Sequence, residues 1–290
     1  MSFLMLPYVT KRDFPSVAVA VPVAVAVAVI VQFAVAVCLS FGALNTAAAQ
    51  TSAPRIVSLT PHATEMLFAA GAGEFIVATV TSSDYPAQVQ SIPKLGDGLN
   101  TSVEQVLDWQ PDWVVGWPST LMTQLKSLGV KTMVLEAQSL DEIPVLIHAI
   151  GERLGTVDQA DVQSAQLFDH IKKLSRKVTL RQQVDVAVLA SPDGQYVLGK
   201  HPLINQTLDL CGGQNVFADT LATAPAVSLE SLLAANPKIV FSGHSPPAWL
   251  ADQFEVMVID PDWLYRPGPR FINAAEQICT KLEQVGQSSK

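Results

Sequence analysis

Apolar and polar residues follow two periods along this chain, one typical of short buried strands and the other of amphipathic helices. The longest helical stretch is predicted over residues 156–180, where an apolar stripe recurs at steps of three and no Gly or Pro intervenes. Thr156 and Gln159 form a capping-box signature at its start. Lys and Arg residues crowd its last turns, where the helix dipole favours cations. The pattern therefore predicts one long helix near the middle of the chain.

Two similar segments flank this helix. Residues 102–117 and 228–243 match in kind at an offset of 126 residues, with Ser, Glu, Leu and Pro at equivalent positions. In each segment, a capped amphipathic helix runs to a proline and then into a short apolar strand. We interpret the match as a duplicated α/β unit, with one copy in each of two lobes. The alternative is that the succession of helix, proline and strand is common in α/β folds.

The remaining pattern alternates strands with helices. Further strands are predicted at 55–59, 75–81, 130–135, 184–189 and 256–259. Further helices are predicted at 60–70, 139–154, 202–211 and 270–285. Such alternation indicates parallel sheets. We therefore predict an α/β protein with two lobes at residues 54–155 and 181–286, joined by the helix at 156–180.

The first 49 residues are predicted to be a signal peptide rather than part of the fold. Lys11 and Arg12 form a positive n-region, and an uncharged Val/Ala run follows from Val17 to Val37. The segment ends in Ala47-Ala48-Ala49, which is typical of a signal-peptidase site. The apolar run is long enough to span a bilayer, so an uncleaved anchor is the alternative. A lipid anchor at Cys38 is not expected, because Val37 stands where a small residue would precede the modified cysteine.

Removal of this leader leaves two cysteines, Cys211 and Cys279. An even pair in an exported protein favours one disulfide, and two buried free thiols are the alternative. The whole chain carries a formal net charge of −8, which becomes one unit more negative without the leader. An acidic surface argues against nucleic acid as a partner. We expect an exported, monomeric protein.

Sequence motifs give little support to an enzyme. Residues 194–201 resemble a phosphate-binding loop, but His201 stands where the magnesium-binding Ser or Thr belongs. The chain contains neither G-x-S-x-G nor H-E-x-x-H. His62, His201 and His244 could form a metal site only if the cleft brought them together; their spacing gives no short-range ligand pair, so we expect no metal site. An exported enzyme remains a remote alternative.

Candidate ligand-binding residues lie in the loops that follow the predicted strands, where open α/β sheets bind their ligands. Aromatic residues are scarce in the chain, at 7%, yet these loops hold many of them. A cleft walled by aromatic side chains suits a large, flat and partly apolar ligand. The loop residues with candidate side chains are His62, Tyr85, Trp117, Tyr196, His201, His244, Trp263, Tyr265 and Arg266.

Four segments carry a resemblance to a known family. RIVSLTPHATEMLFAAGAG, the SDYP loop, LINQTLDLCGGQNVF and DWLYRPGPRFINAAEQIC resemble the periplasmic cobalamin (vitamin B12)-binding proteins of ABC importers. These proteins belong to the helical-backbone (class III) substrate-binding family, which also binds ferric siderophores and haem. The resemblance covers about residues 54–285. It implies two Rossmann-like lobes bridged by a rigid helix, and a disulfide between Cys211 and Cys279.

The resemblance also implies residue roles. Tyr85, Trp117, Tyr196, Asp262 and Arg266 would contact the corrinoid, and His62 is a further candidate. A pair of glutamates, Glu104 and Glu230, would dock onto arginines of the permease of the importer, which works with its ATPase at the inner membrane. Ordinary helix capping is the alternative for both glutamates. No cofactor is expected, because cobalamin would be the transported ligand.

The ligand itself stays open between corrinoid, haem and ferric siderophore. This chain has Gly96-Asp97-Gly98 and Ala224 in loops where the cobalamin binders place tryptophans. Haem would require an axial ligand, for which His62 and Tyr85 are the candidates. Cobalamin, which carries its own nucleotide base, would require none.

Overall fold

The computed structural model describes residues 53–98, 100–177 and 183–288. The predicted leader at 1–49 and the end of the predicted long helix, 178–180, lie outside these residues. The strands are β1 Ile56–Ser58, β2 Ile76–Thr79, β3 Trp113–Gly116, β4 Lys131–Val134, β5 Val184–Val188, β6 Gly213–Asn215, β7 Ile239–Ser242 and β8 Val256–Val258. The helices are α1 Pro61–Ala69, α2 Val103–Leu107, α3 Thr120–Ser127, α4 Glu142–Leu154, α5 Val157–Lys177, α6 Pro202–Leu210, α7 Leu229–Ala235, α8 Ala248–Ala251, α9 Pro261–Leu264 and α10 Phe271–Ser288. Short 3-10 helices cover Gly73–Phe75 and Ala87–Ser91.

The strands form two four-stranded sheets of identical topology. The first has the order β2-β1-β3-β4 and the second β6-β5-β7-β8, and every pairing is parallel. The predicted α/β class with parallel sheets in two lobes is therefore confirmed. Because the strands of each sheet run in one direction, their carboxyl ends lie along one edge, and the loops that follow them are brought together.

The repeated sequence segments adopt the same local structure. Ser102 and Ser228 are the N-caps of α2 and α7, and each accepts a hydrogen bond from the backbone N–H three residues later. Gln110 and Asn236, also 126 residues apart, both adopt φ 48°, a conformation uncommon for side chains other than Gly and Asn. Each of these residues precedes the proline that leads into β3 or β7. The two lobes thus repeat one helix–turn–strand unit.

The long helix α5 packs against elements of both lobes. It contacts α4 and α1, which cover the first sheet, and α10, which packs on β5 of the second sheet. Gly155, with φ 77°, separates α4 from α5 and permits the chain to reverse between them. The largest apolar core contains residues of both sheets, including Ile56 and Val186, together with Ile171 of α5 and Phe271 of α10. The two lobes are therefore joined by continuous apolar packing as well as by the chain.

Several predicted boundaries need correction. The helix expected from Ser139 begins at Glu142; Ser139 accepts a hydrogen bond from the Glu142 N–H, but residues 139–141 form a turn. The helix predicted at 202–211 ends at Leu210, and strand β6 begins only two residues beyond the predicted end, at Gly213. A strand is possible there because β6 lies at the edge of its sheet and pairs only with β5.

Cys211 and Cys279 form the predicted disulfide, with their Cα atoms 4.5 Å apart. The bond joins the residue that caps α6 to the middle of α10, so it ties the last helix to the second lobe. Within the ranges that the structure describes, no helix is both long and apolar enough to cross a membrane.

Candidate functional site

A cleft of about 610 Å³ lies between the lobes, at the carboxyl ends of both sheets. Residues after β3 and β4 form one wall, and residues after β5, β6 and β8 form the other. The lining of the cleft as a whole is mainly apolar: it includes Trp117 and Ala137 from the first lobe, and Leu203, Leu264 and Phe271 from the second. This volume lies within the range typical of small-molecule sites. The cleft is the main candidate for a ligand-binding site.

Trp117 is the largest side chain on the wall of the first lobe. It directly follows β3 and leaves 46% of its surface exposed. The ring of His62 lies behind it, with the ring centroids 4.8 Å apart. His62 itself is 1% exposed, and its Nε2 donates a hydrogen bond of 2.8 Å to the carbonyl oxygen of Leu135. The indole therefore has one supported face and one face open to the cleft.

His62 does not lie on the surface of the cleft. Burial lowers its pKa to about 4, so the imidazole is neutral at pH 7. Since Nε2 carries the proton that bonds Leu135, this nitrogen cannot also coordinate a metal ion. In this structure the His62 ring is buried and packs against the indole of Trp117.

Buried hydroxyl groups fix the loop that carries Asp84 and Tyr85. The hydroxyl oxygen of Thr64 lies 2.8 Å from that of Ser58, 2.9 Å from that of Thr79 and 3.0 Å from that of Ser83. All four side chains are buried, so each relies on the others to satisfy its hydrogen-bonding groups. The cluster connects β1, α1 and β2, and it holds Ser83 immediately before Asp84.

Arg266 joins carboxylates of the two lobes. It donates to Asp84 of the first lobe at 2.6 Å and forms an ion pair with Asp262 of the second at 2.7 Å. Although partial burial opposes the charged form of Asp84, the hydrogen bonds from Arg266 lower the pKa of this carboxyl below its usual value. Burial raises the pKa of Asp262. Asp262 and Arg266, both expected to contact a ligand, therefore bind each other here.

Arg270 forms a second connection between the lobes. Its guanidinium donates to both carboxylate oxygens of Glu65, at 2.6 and 3.0 Å, and its Cζ lies 4.4 Å from the centre of the Tyr85 ring. The Glu65 side chain is 2% exposed, and burial raises its pKa despite the opposing effect of Arg270. Arg266 also approaches Glu65, at 3.6 Å. We call Glu65, Asp84, Asp262, Arg266 and Arg270 the interlobe ion cluster.

The sequence did not point to Glu65 or Arg270. Glu65 lies in an ordinary helical position of α1, and Arg270 follows it by 205 residues. The one signal in the sequence was that Glu65 is a charged residue on an otherwise apolar face of α1. Such a residue is rarely buried without a partner, but the sequence does not identify that partner as Arg270.

The remaining predicted aromatic residues are distributed over the rim and the floor. Tyr196 is 45% exposed and pairs in a β-bridge with Ala226, close to Ala224 on the cleft wall. Tyr265 lines the cleft; its hydroxyl donates to the Leu189 carbonyl at 2.9 Å and accepts from the Gly243 N–H at 2.8 Å. Burial raises the pKa of Tyr265. Both hydrogen bonds of the Tyr265 hydroxyl are therefore made to the backbone, and only the ring is available to contact a ligand.

Only some of the predicted ligand-binding residues line the same cavity. Trp117 lines the 610 Å³ cleft, whereas Tyr85 borders a separate pocket of about 310 Å³ beside α1, α5 and Arg270. Asp262 and Arg266 belong to the interlobe ion cluster. Among the described residues, no three His, Cys, Asp or Glu side chains are grouped in a way that could hold a metal ion.

Glu104 and Glu230 occupy equivalent positions outside the cleft. Each is the second residue of its helix, α2 or α7, two positions after the capping serine. Hydrogen bonds to the backbone and to Ser102 lower the pKa of Glu104, and bonds to Ser228 and the backbone lower that of Glu230. Both side chains are therefore ionised at pH 7.

Comparison with known proteins identifies relatives of this fold. A model of the periplasmic binding protein family matches residues 56–257. The vitamin B12-binding protein of Vibrio cholerae serotype O1 is 30% identical over 247 residues, which are 80% of this chain and 90% of the relative. The vitamin B12-binding protein of Pectobacterium carotovorum is 29% identical over 266 residues, or 87% and 96% of the two chains.

Solved structures show the same architecture. The crystal structure of the periplasmic vitamin B12 binding protein BtuF of Vibrio cholerae matches with a TM-score of 0.73 at 30% identity. The match covers 80% of this chain and 97% of that one. The periplasmic heme-binding protein RhuT from Roseiflexus, at 24% identity and a TM-score of 0.68, covers 81% of this chain and 100% of its own; it shares the fold.

Proposed function

The chain belongs to the periplasmic binding protein family, and we propose that it captures cobalamin or a related corrinoid in the cleft between its lobes. The observation that carries this proposal is the 610 Å³ cleft, to whose lining both lobes contribute apolar surface. The similarity to vitamin B12-binding proteins over 80% or more of the chain supports it. The family is one of binding proteins rather than enzymes.

A corrinoid suits these walls because the macrocycle presents two broad, partly apolar faces. Trp117 offers a large ring on one wall, and Leu264 and Phe271 offer apolar surface on the other. Burial of apolar surface contributes about 25 cal/mol per Å², so a large macrocycle can be held without a covalent or metal bond. Tyr196 on the rim, and Asp262 and Arg266 of the interlobe ion cluster, are the further proposed contacts. Tyr85 borders the smaller pocket beside Arg270, and we propose that it contacts a part of the ligand that extends beyond the main cleft.

Haem is the second candidate, and the cleft suits it less well. Of the two predicted axial ligands, His62 is buried with Nε2 committed to Leu135, and Tyr85 lies under Arg270 outside the main cleft. A corrinoid that brings both of its axial groups requires no ligand from the protein. The position of His62 thus favours the corrinoid.

An optical titration tests this choice. The purified protein is titrated with cyanocobalamin, with haemin and with a ferric hydroxamate siderophore, and binding is followed by absorbance and by calorimetry. We expect tight, stoichiometric binding of cyanocobalamin and weak binding of the other two compounds. A Soret shift at low haemin concentration, without binding of cyanocobalamin, would refute the proposal.

We further propose that the protein acts in the periplasm as a monomer and delivers its ligand to an ABC importer. Residues 1–49 would direct export and be removed, and the mature lobes would comprise 54–155 and 181–286, connected by the helix at 156–180. Glu104 and Glu230 would contact arginines of the two permease subunits, whose ATPase drives import. Their exposure, ionisation and equivalent placement on the two lobes support this role.

A further inference from the structure

One end of the cleft is polar, and its charged groups come from opposite lobes. Glu136, two residues after β4, and Lys200, two residues before α6, both line the cleft and are both exposed. Within the described residues, neither side chain has an oppositely charged partner within ion-pair distance of 4 Å. This contrasts with the interlobe ion cluster, where every charge is paired. Glu136 and Lys200 therefore keep their hydrogen-bonding capacity for a ligand.

His201 adds a neutral donor beside them. It is the N-cap of α6, and its Nδ1 accepts a hydrogen bond of 3.4 Å from the Ile204 N–H. The neutral ring must therefore carry its proton on Nε2. Burial lowers the pKa of His201, against the opposing effect of Glu136, so the ring is neutral at pH 7. Since His201 also lines the cleft, its Nε2–H is available as a donor at this wall.

The three groups together define a specific chemical preference. The negative charge of Glu136 and the positive charge of Lys200 cancel, and His201 is a neutral donor. Such a site suits ligand side chains that are uncharged and contain both a hydrogen-bond donor and an acceptor, and the primary carboxamide is the simplest of these. A carboxylate would find one favourable partner in Lys200 but would be repelled by Glu136, and its approach would leave Glu136 without a donor.

We propose that Glu136, Lys200 and His201 together bind the carboxamide side chains of a macrocycle, and that Glu136 makes this site prefer carboxamides over carboxylates. This inference rests on the proposed corrinoid function and specifies which chemical form of the ligand is taken. Under it, Glu136 accepts hydrogen bonds from amide N–H groups, and Lys200 and His201 donate to amide carbonyl oxygens.

The test compares two corrinoids with the same ring, dicyanocobinamide with its amide side chains and dicyanocobyrinic acid with carboxylates. Affinities for both are measured by calorimetry with the wild-type protein and with Glu136→Gln and Lys200→Gln. Glu136→Gln should weaken cobinamide binding and strengthen binding of the acid, which lowers the preference for amides by about tenfold. Lys200→Gln should weaken binding of the acid more than that of cobinamide and so move the preference in the opposite direction. Opposite shifts cannot arise from a general loss of structure.

The control is Glu74→Gln, which removes an exposed carboxylate from the 3-10 helix before β2, at the other end of that strand from the cleft. It should leave both affinities unchanged. If the wild type binds cobinamide and both cleft variants keep its preference, this inference is wrong while the corrinoid function stands. If the wild type binds neither cobinamide nor cyanocobalamin, the proposed function itself is wrong.

Discussion

Residues at the cleft fall into two groups: those whose side chains are hydrogen-bonded within the protein, and those whose side chains leave surface exposed to a ligand. Trp117 is the clearest free residue, because one face rests on His62 and nearly half of its surface is exposed. Tyr265 and His62, by contrast, use their polar atoms in hydrogen bonds to backbone carbonyls. This difference determines which substitutions should affect binding and which should affect folding.

We expect Trp117→Ala to weaken corrinoid binding by about 1–3 kcal/mol through loss of apolar contact. Thermal unfolding of the ligand-free protein should change little, since the removed ring covers only one face of His62. Calorimetric titration and a thermal melt measure the two effects. Trp249→Ala is the matched control: Trp249 is 38% exposed, packs near Gly194 and is not on the cleft wall, so its loss should leave affinity intact. Ready unfolding of Trp117→Ala would instead identify Trp117 as a core residue.

The sequence was sufficient to place Trp117 in a loop at the end of a strand, but it gave no sign of the interlobe ion cluster. A residue placed directly after an apolar strand can be assigned to a strand-end loop from local pattern alone. Pairing of Glu65 with Arg270 depends on how two lobes pack, and no local pattern carries that information across 205 residues. The same limit applies to His62, which was grouped with the strand-end loops but lies in the first turn of α1, with its ring buried beneath Trp117.

Among the elements, the repeated unit was the most predictable. Equivalent serine caps and prolines were visible in the sequence, and both copies fold into the same helix, turn and strand. The shorter elements α8, α9 and β6 were less predictable, since three or four residues carry too little pattern. Their form depends on neighbouring strands and loops.

The repeated helices also carry the proposed docking contact. We expect the double variant Glu104→Ala/Glu230→Ala to bind corrinoid and to fold like the wild type, because Ser102 and Ser228 still cap their helices. It should nevertheless lose association with the importer reconstituted in nanodiscs, mainly through a lower association rate. Raised salt should produce the same loss in the wild-type protein.

Surface plasmon resonance on the immobilised importer measures that association. The control is Glu74→Ala/Asp252→Ala, which removes two exposed carboxylates elsewhere and changes the net charge equally. This control should associate normally. If the Glu104/Glu230 variant associates at the wild-type rate, the glutamates serve only as caps and the docking proposal is wrong.

At the scale of the whole molecule, several features join the two lobes. The apolar core is continuous between them, and α5 packs against both. Gly268 approaches His62 so closely that an added Cβ would lie 3.3 Å from the His62 Cβ. Gln206 of the second lobe accepts a hydrogen bond of 2.9 Å from the Leu140 N–H of the first. With the interlobe ion cluster, these contacts oppose a large change in the angle between the lobes.

We therefore expect ligand binding to close the cleft only slightly, so that small-angle scattering profiles of the free and cyanocobalamin-bound protein nearly superimpose.

The double variant Glu65→Ala/Arg270→Ala should behave differently from the wild-type protein in the same scattering experiment. It removes both partners of a buried pair at once, which avoids a single unpaired charge at that pair. We expect a larger radius of gyration in its free form and a measurable decrease on binding. The control Glu255→Ala/Lys281→Ala breaks an ion pair within the second lobe and should match the wild type. A large decrease for the wild-type protein would show that the lobes hinge freely, and an unchanged profile for the Glu65/Arg270 variant would show that the core and α5 suffice to hold them.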